Sequence, residues 1–321
     1  MVLLLKEQDV RALLPMSRAV ELVERVFREE GAGLAVDQPR ARLRYPDGLL
    51  NYMAGAVAPD HSVGLKVYPI SRQGARFVVL LFDSETATLD AVIEADWLGR
   101  IRTGAASGVA TKLLARRDAR VAAVFGSGGQ ARTQIEGLLV ARQLELIKIY
   151  SRAPEHRETL ATELAGLGPE VRAVDSPQLA VQGSDIISTI TSSAEPVFDG
   201  TWLEPGTHVN AAGSNRLTNR EIDSITVGRA AVVATDSVDQ ARVESGDLAA
   251  AVKEGVLTWD DVTPLSAIAS GRSPGRESGT QITLFESLGV AIEDIVVARW
   301  VVEEARRQGR GLPVDFGAGH D

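Results

Sequence analysis

The chain has no cysteine among its 321 residues, which excludes disulfides, thiolate nucleophiles and cysteine-ligated metals. Histidine is almost as scarce. His61, His156, His208 and His320 stand alone, none with a second ligand-type residue at metal-binding spacing, so no metal site is expected. Basic residues are outnumbered, 34 Lys and Arg against 43 Asp and Glu, for a net charge of −9. With no basic patch interleaved with aromatics, nucleic acid is not an expected partner. Long hydrophobic runs are missing as well. Met1 to Leu5 is apolar but gives way at once to Lys6, Glu7 and Asp9, too short for a secretion signal, and no other run approaches a membrane span. A cytoplasmic protein with no membrane partner is the expectation. No glycine-x-serine-x-glycine nucleophile turn occurs, which leaves hydrolase chemistry without support.

Glycine is plentiful, and its most informative cluster is Gly126-Ser127-Gly128-Gly129-Gln130-Ala131. Upstream, Arg120 to Phe125 is a short apolar run of the kind a parallel strand covered on both faces requires. Downstream, Ala131, Ile135, Leu138 and Leu139 fall at helical spacing, with Arg132, Gln134 and Glu136 on the other side. A second strand follows at Leu146 to Tyr150, completing a strand-helix-strand unit. In such a unit Gly126 permits the tight turn, Gly128 lets the backbone approach a pyrophosphate, and Ala131 allows close helix packing. The helix N-terminus then faces the phosphates. The alternative is an ordinary strand-to-helix turn that binds nothing.

Length and the position of this turn predict two domains. Residues 1–115 read as an α+β domain on a largely antiparallel sheet. Its elements are a strand at Val2 to Leu5, a helix from about Ser17 ended by Gly31 and Gly33, and strands around Arg42 to Tyr45, Gly64 to Tyr68 and Phe77 to Phe82. Asp47-Gly48 and Gln73-Gly74 mark turns. Arg102 to Ala115 reads as a helix rich in small residues. Residues 116–289 read as a doubly wound, Rossmann-type α/β domain, with a third strand at Asp185 to Ile190 and later ones at Thr207 to Ala212 and Ala230 to Thr235. A long helix through Ile292 and Val301, stopped by Gly309 and Gly311, returns to the first domain, which therefore includes residues 290–321. Gly317 to Asp321 reads as a loose tail.

An NAD enzyme usually ends its second strand with an acidic residue that binds the adenine-ribose hydroxyls. Here the strand ends Tyr150-Ser151-Arg152, which leaves room for a 2′-phosphate and supplies a charge to pair with it. NADP(H) is the expected cofactor, with NAD(H) as the alternative.

Arg102-Thr103-Gly104-Ala105-Ala106-Ser107, followed by the glycine turn, resembles the ornithine cyclodeaminase and mu-crystallin family. The similarity extends through Gly64-Leu65-Lys66, Asn210 to Gly213, Asp236 to Gln240, Glu244-Ser245-Gly246-Asp247 and Phe285 to Asp294. The resemblance implies a homodimer formed through the N-terminal domain, with the active site in the cleft between domains. It implies chemistry at a carbon–nitrogen bond next to a carboxylate. By the same resemblance Arg40, Lys66 and Arg102 hold the substrate carboxylate, with Arg42 the alternative to Arg40, two residues away on the same strand face. Lys66 and Asp236 are implied as the catalytic pair. Arg102, Thr103, Thr189, Thr191 and Gly213 are implied in cofactor binding beside Gly126, Ser127, Gly128, Gly129, Gln130, Ala131, Ser151 and Arg152. For Asp236, which ends a strand at the carboxyl edge of the sheet, the plain alternative is a helix N-cap; the family role is acid–base work at an imine nitrogen.

One position departs from the cyclodeaminase pattern, which carries a glutamate two places before the methionine of the strand near residue 53. Here Asn51 stands there, before Tyr52 and Met53, and an amide lacks the charge that recognises a distal ammonium. The expected function is NAD(P)H-dependent reduction of an α-imino acid or oxidation of an α-amino acid. Ornithine cyclodeamination with bound NAD is the alternative enzyme, and a non-catalytic, crystallin-like NADPH-binding protein the alternative of another class.

Overall fold

The computed structural model describes residues 1–316, so the tail expected over Gly317 to Asp321 lies outside the described residues. In chain order the strands and helices begin β1 (Val2–Leu5), α1 (Glu7–Leu13), α2 (Met16–Gly31), β2 (Ala35–Tyr45), β3 (Gly48–Val57), β4 (Ser62–Ser71), β5 (Gly74–Ala75), β6 (Val78–Asp83), β7 (Leu89–Glu94) and α3 (Asp96–Leu114). They continue with β8 (Val121–Phe125), α4 (Ala131–Ala141), β9 (Leu146–Tyr150), α5 (Pro154–Leu164), β10 (Glu170–Ala173), α6 (Pro177–Val181), β11 (Ile186–Thr189), β12 (His208–Ala211) and α7 (Ser224–Arg229). The remainder are β13 (Ala230–Thr235), α8 (Val238–Glu244), α9 (Gly246–Lys253), β14 (Val262–Pro264), α10 (Leu265–Ala269), β15 (Ile282–Glu286), α11 (Ala291–Gln308) and β16 (Leu312–Val314).

The chain divides into two compact units, Met1–Arg102 with the segment from Gly289 onward, and Thr103–Leu288. The first division falls inside α3, not at its end near residues 115 and 116, and the second one residue before the expected 289/290. Sequence periodicity treats a continuous helix as one piece, whereas packing can assign its turns differently.

In the first unit the sheet runs β16-β1-β7-β6-β4-β3-β2 with β5 on β4, and it is antiparallel except where β1 joins β7. Helix α11 lies on one face of this sheet, against β3, β4 and β6, and also packs on α2. The glycines opposite it are required by close approach: a Cβ on Gly64 would overlap Ile295, and one on Gly55 would lie 3.1 Å from Ile292. The N-terminus of α11 is capped from a distance, since Asp37 Oδ1 accepts from the N–H groups of Ala291 at 2.6 Å and Ile292 at 3.2 Å. Helix α1 is an element that sequence periodicity missed, because seven residues give only two turns of pattern.

The second unit is an eight-stranded parallel sheet in the order β10-β9-β8-β11-β12-β15-β13-β14. The order reverses between β8 and β11, and ligands of doubly wound sheets bind outside the carboxyl ends of strands at such a switch point. Asp185 to Ile190 is not the third strand in sequence: β10 precedes it, unrecognised because its alternating exposed pattern carries no apolar run. Strand β15 is fully buried, and only its end, from Phe285, belongs to a motif visible in the sequence. Gln134, expected on the polar side of α4, is fully buried and bonds Ser188 Oγ at 2.9 Å and the Thr103 carbonyl at 3.4 Å.

Helix α4 crosses α3 so closely that a Cβ on Gly137 would collide with the Gly104 carbonyl oxygen. Because both partners are backbone, relief requires the helices to separate, and Gly137→Ala is expected to cost about 2 kcal/mol of stability. Urea unfolding measures this; an unchanged midpoint would show that the crossing yields without cost.

Candidate active site

In the first unit two of the expected carboxylate-binding residues, Arg40 and Lys66, share one face of the sheet, and the third, Arg102, comes from α3. Lys66 stands opposite Met53, and Asn51 opposite Tyr68, on the face that α11 covers. Beyond the bulge between Gln38 and Ala41, Arg40 and Arg42 alternate with Ala41, and it is Arg40 that is buried, its Nη2 donating to the Gly289 carbonyl at 2.9 Å. Lys66 Nζ donates to Asp294 Oδ1 at 2.9 Å, and Arg102 Nε donates to the same oxygen at 3.1 Å while its Nη1 donates to Glu293 at 2.8 Å. Glu293 and Asp294 sit in the first turn of α11, where the helix dipole favours anions. Gly289, at φ +77°, is held to glycine twice over, because a Cβ there would also overlap the Arg102 guanidinium.

Lys66 is 3% exposed, with the Phe77 ring centroid 5.7 Å from its nitrogen. Burial lowers its pKa from 10.5 to about 8; Asp294 opposes the shift, and the Arg102 and Arg40 charges add to it. For Arg102 burial works in the same direction, but Asp294 and Glu293 outweigh it and hold the guanidinium more firmly protonated than in water. The Asn51 amide is buried at 2% exposure and pairs with no described residue. It belongs with this group, a residue whose importance the sequence signalled only through its departure from the cyclodeaminase pattern.

In the second unit the glycine turn follows β8 directly. Gly126 has φ +117°, and a Cβ there would lie 2.5 Å from the Ile190 carbonyl oxygen, so the turn needs glycine for both reasons. A Cβ on Gly128 would meet nothing, which leaves its backbone open to a ligand. Ala131 begins α4, whose N-cap position, Gln130, offers no side-chain hydrogen bond, so the first N–H groups of the helix have no side-chain cap. A cleft of about 510 Å³ opens beside the turn, lined by Gly126, Ser127, Gly128, Ser151, Arg152 and Thr191 among others. Ser151 Oγ donates to the Ala153 carbonyl at 3.0 Å, and Arg157 donates to the Ser151 carbonyl at 2.8 Å and to Asp175 at 2.7 Å. Arg152 is exposed on the cleft wall, with no partner among the described residues. These features fit the phosphates and adenine ribose of a dinucleotide.

Asp236 follows β13 and is 1% exposed. It is not the cap of α8: that role belongs to Ser237, whose side chain accepts from the Gln240 N–H. Asp236 instead accepts from the Ser237 N–H at 2.9 Å and, through Oδ2, from the Leu288 N–H at 2.7 Å, which fixes its carboxylate at the carboxyl edge of the sheet. Thr189, Thr191 and Gly213, at the ends of β11 and β12, all donate to Glu221. Burial raises Glu221 to about 7, against the hydrogen bonds from Thr191, and raises Asp247 to about 6. It raises Glu286 well above the carboxylate range, with the Asp247 charge adding to the effect. His208 is in the sheet interior between Thr283 and Asn210, and burial lowers it to about 3, so it remains neutral.

A family model described as ornithine cyclodeaminase/mu-crystallin family matches residues 2–309. A Delta(1)-pyrroline-2-carboxylate reductase of Bacillus cereus is 31% identical over 98% of this chain and 100% of its own. Among solved structures, the Delta(1)-pyrroline-2-carboxylate reductase of Thermococcus litoralis in complex with NADH and L-proline superposes with a TM-score of 0.92 at 34% identity, covering 98% of this chain and 100% of that one. An archaeal alanine dehydrogenase dimer with bound NAD superposes with a TM-score of 0.92 at 30% identity, covering 98% and 99%.

The depressed Lys66 pKa has a definite sign in stability. Between about 8 and 10.5 the unfolded chain holds the Lys66 proton that the folded chain releases, so the lysine's contribution to stability rises with pH across that window. The unfolding free energy of the wild type minus that of Lys66→Met is expected to climb from pH 8 to pH 10.5, with a slope of at most about 1.4 kcal/mol per unit. Urea titrations at several pH values give this difference; a flat line would mean that Lys66 keeps an ordinary pKa.

Proposed function

The chain belongs to the ornithine cyclodeaminase/mu-crystallin family, and from that premise we propose that it is a nicotinamide-dependent oxidoreductase acting on the carbon–nitrogen bond of an α-imino or α-amino acid. One observation carries the substrate side of this reading. The Lys66 ammonium uses one of its three N–H donors on Asp294, and no other described residue accepts from it. A buried cation with donors to spare, grouped with Arg40 and Arg102, suits a carboxylate.

Roles follow from the chemistry. Gly126 to Ala131 and the open N-terminus of α4 would hold the pyrophosphate, Ser151 and Arg152 the adenine ribose, and Thr189, Thr191 and Gly213 the nicotinamide side, with Arg102 and Thr103 completing the set by family resemblance. When bound, the nicotinamide supplies a hydride in the reductive direction and accepts one in the oxidative direction. Arg40, Lys66 and Arg102 fix the substrate carboxylate and so orient the adjacent carbon. Asp236 keeps the imine nitrogen protonated, which makes that carbon more electrophilic, and takes the proton back in oxidation. Lys66, with its lowered proton affinity, balances carboxylate charge and can exchange a proton near neutrality.

Two finer points extend the reading. NADP(H) is favoured over NAD(H), because Ser151 stands where an acidic residue would repel a 2′-phosphate and Arg152 is unengaged. Reduction is favoured over cyclodeamination, because the unpaired Asn51 offers no countercharge to a second ammonium. The assembly is a homodimer, like the archaeal alanine dehydrogenase. The sheet face opposite α11 carries Tyr52, Val67, Leu65, Leu80, Val63 and Phe82, all exposed or half-buried, an apolar surface that a second copy would cover.

An assay of NADPH absorbance against pyrroline-2-carboxylate, piperideine-2-carboxylate, pyruvate with ammonia or methylamine, and ornithine tests the function. Substrate-dependent NADPH loss with an imine is expected, and Asp236→Asn should keep NADPH binding while losing about a hundredfold or more in turnover. Proline and ammonia formed from ornithine without added oxidant would instead identify a cyclodeaminase. Near-native turnover of Asp236→Asn would remove that residue from the mechanism.

Ser151→Asp tests cofactor choice on its own. The added carboxylate should shift the ratio of kcat/KM for NADPH over NADH toward NADH by about tenfold or more. Unchanged ratios would place 2′-phosphate recognition elsewhere.

A further inference from the structure

Glu221 carries no motif and lies in the loop between β12 and α7, yet the carboxyl ends of two strands converge on it. Its side chain is fully buried. Oε2 accepts from Thr189 Oγ1 at 2.9 Å and from the Gly213 N–H at 2.6 Å, while Oε1 accepts from the Thr191 N–H at 2.5 Å and Thr191 Oγ1 at 2.7 Å. Thr189, Thr191 and Gly213, the three residues assigned above to the nicotinamide side, are therefore all tied to one carboxylate. The fit is tight, since a Cβ on Gly213 would overlap the Thr191 backbone and lie 2.6 Å from Glu221 Oε1.

Glu221 is itself held. The N–H groups of Glu221 and Ile222 donate to Asp247 Oδ1 at 2.8 and 2.9 Å. Asp247 lies in the first turn of α9, and Ser245 caps that helix by accepting from the Leu248 N–H while donating to Glu286 at 2.7 Å. Between them, a Cβ on Gly246 would overlap the Asn219 carbonyl oxygen. Ser245, Gly246 and Asp247 thus pin down the segment that presents Glu221.

We propose that Glu221 is a positioning residue for the nicotinamide half of the dinucleotide, and that Ser245-Gly246-Asp247 acts by holding Glu221. Glu221 needs no ligand contact for this. It accepts the donors that would otherwise let the ends of β11 and β12 drift apart, and so fixes the spacing of the two loops. The inference rests on the dinucleotide reading above.

The test compares NADPH with ADP-ribose 2′-phosphate, which carries the adenosine half and the pyrophosphate but no nicotinamide. Glu221→Gln places an amide N–H₂ against N–H and O–H donors, so at least one bond becomes donor against donor. The Kd for NADPH, read by fluorescence, is expected to rise about tenfold or more, with ADP-ribose 2′-phosphate staying within about twofold of the wild type. Should Glu221→Gln not fold, Thr189→Val removes a single hydroxyl and should give the same split at about threefold, with Thr189→Ser restoring wild-type affinity. Equal loss for both probes, or loss for neither, overturns the proposal. A wild-type protein that binds neither this pair nor the corresponding pair without the 2′-phosphate, NADH and ADP-ribose, would instead overturn the dinucleotide reading, and the inference with it.

Discussion

Asp294 is the interaction on which the first unit depends. One oxygen, Oδ1, receives the ammonium of Lys66 from β4 and the guanidinium of Arg102 from α3, so a strand and two helices meet at a single acceptor. Its partner oxygen is buried without a hydrogen bond among the described residues. Breaking a buried ion pair by removing one member typically costs about 3–5 kcal/mol, because the remaining charges lose their compensation. Here the removal would leave Lys66 without its acidic partner and Arg102 held by Glu293 alone. The glycines around the pair follow from the same constraint. Gly64 lets β4 approach α11, and Gly289 leaves space for the guanidinium, so the small residues of two family motifs are explained by packing before any ligand is considered.

The cost of this arrangement is visible in Lys66. Burial lowers its pKa to about 8, which means the site holds a proton less firmly than water would. A site built only for stability would gain from an apolar replacement. Cations kept buried, with a donor set that the protein does not fill, are better explained by an anion that arrives later.

Much of this was legible in the sequence, and the remainder was hidden for identifiable reasons. The glycine turn was readable because its requirements are local: a buried strand before it, an amphipathic helix after it, and a backbone that must turn with φ positive at Gly126. The strand ends at Ser151 and Asp236 were readable for the same reason. Strand β10 was not, since four residues of alternating exposure resemble any loop. Gln134 was misplaced because helical periodicity assigns faces by polarity, and a buried glutamine that bonds Ser188 defeats that rule. Arg40 was separable from Arg42 only once burial distinguished two residues on one strand face. Glu221 was beyond reach, because its donors are 8 to 32 residues away in sequence and two of them are backbone N–H groups.

The two units use the same physical device with opposite sign. In the first, buried carboxylates hold cations that have donors left for a ligand; in the second, a buried carboxylate holds hydroxyl and N–H donors at the ends of two strands. In both, one buried acidic group ties together residues from different elements and sets their geometry. Such supports carry a penalty. Burial raises Glu221 to about 7 and Asp247 to about 6, so between the usual carboxylate range and those values the folded chain binds more protons than the unfolded chain, and stability falls as pH rises through that interval. A chain under selection for stability alone would replace them with neutral acceptors. Their retention is consistent with a demand for fixed geometry at the strand ends that a neutral side chain, carrying donors of its own, meets less well.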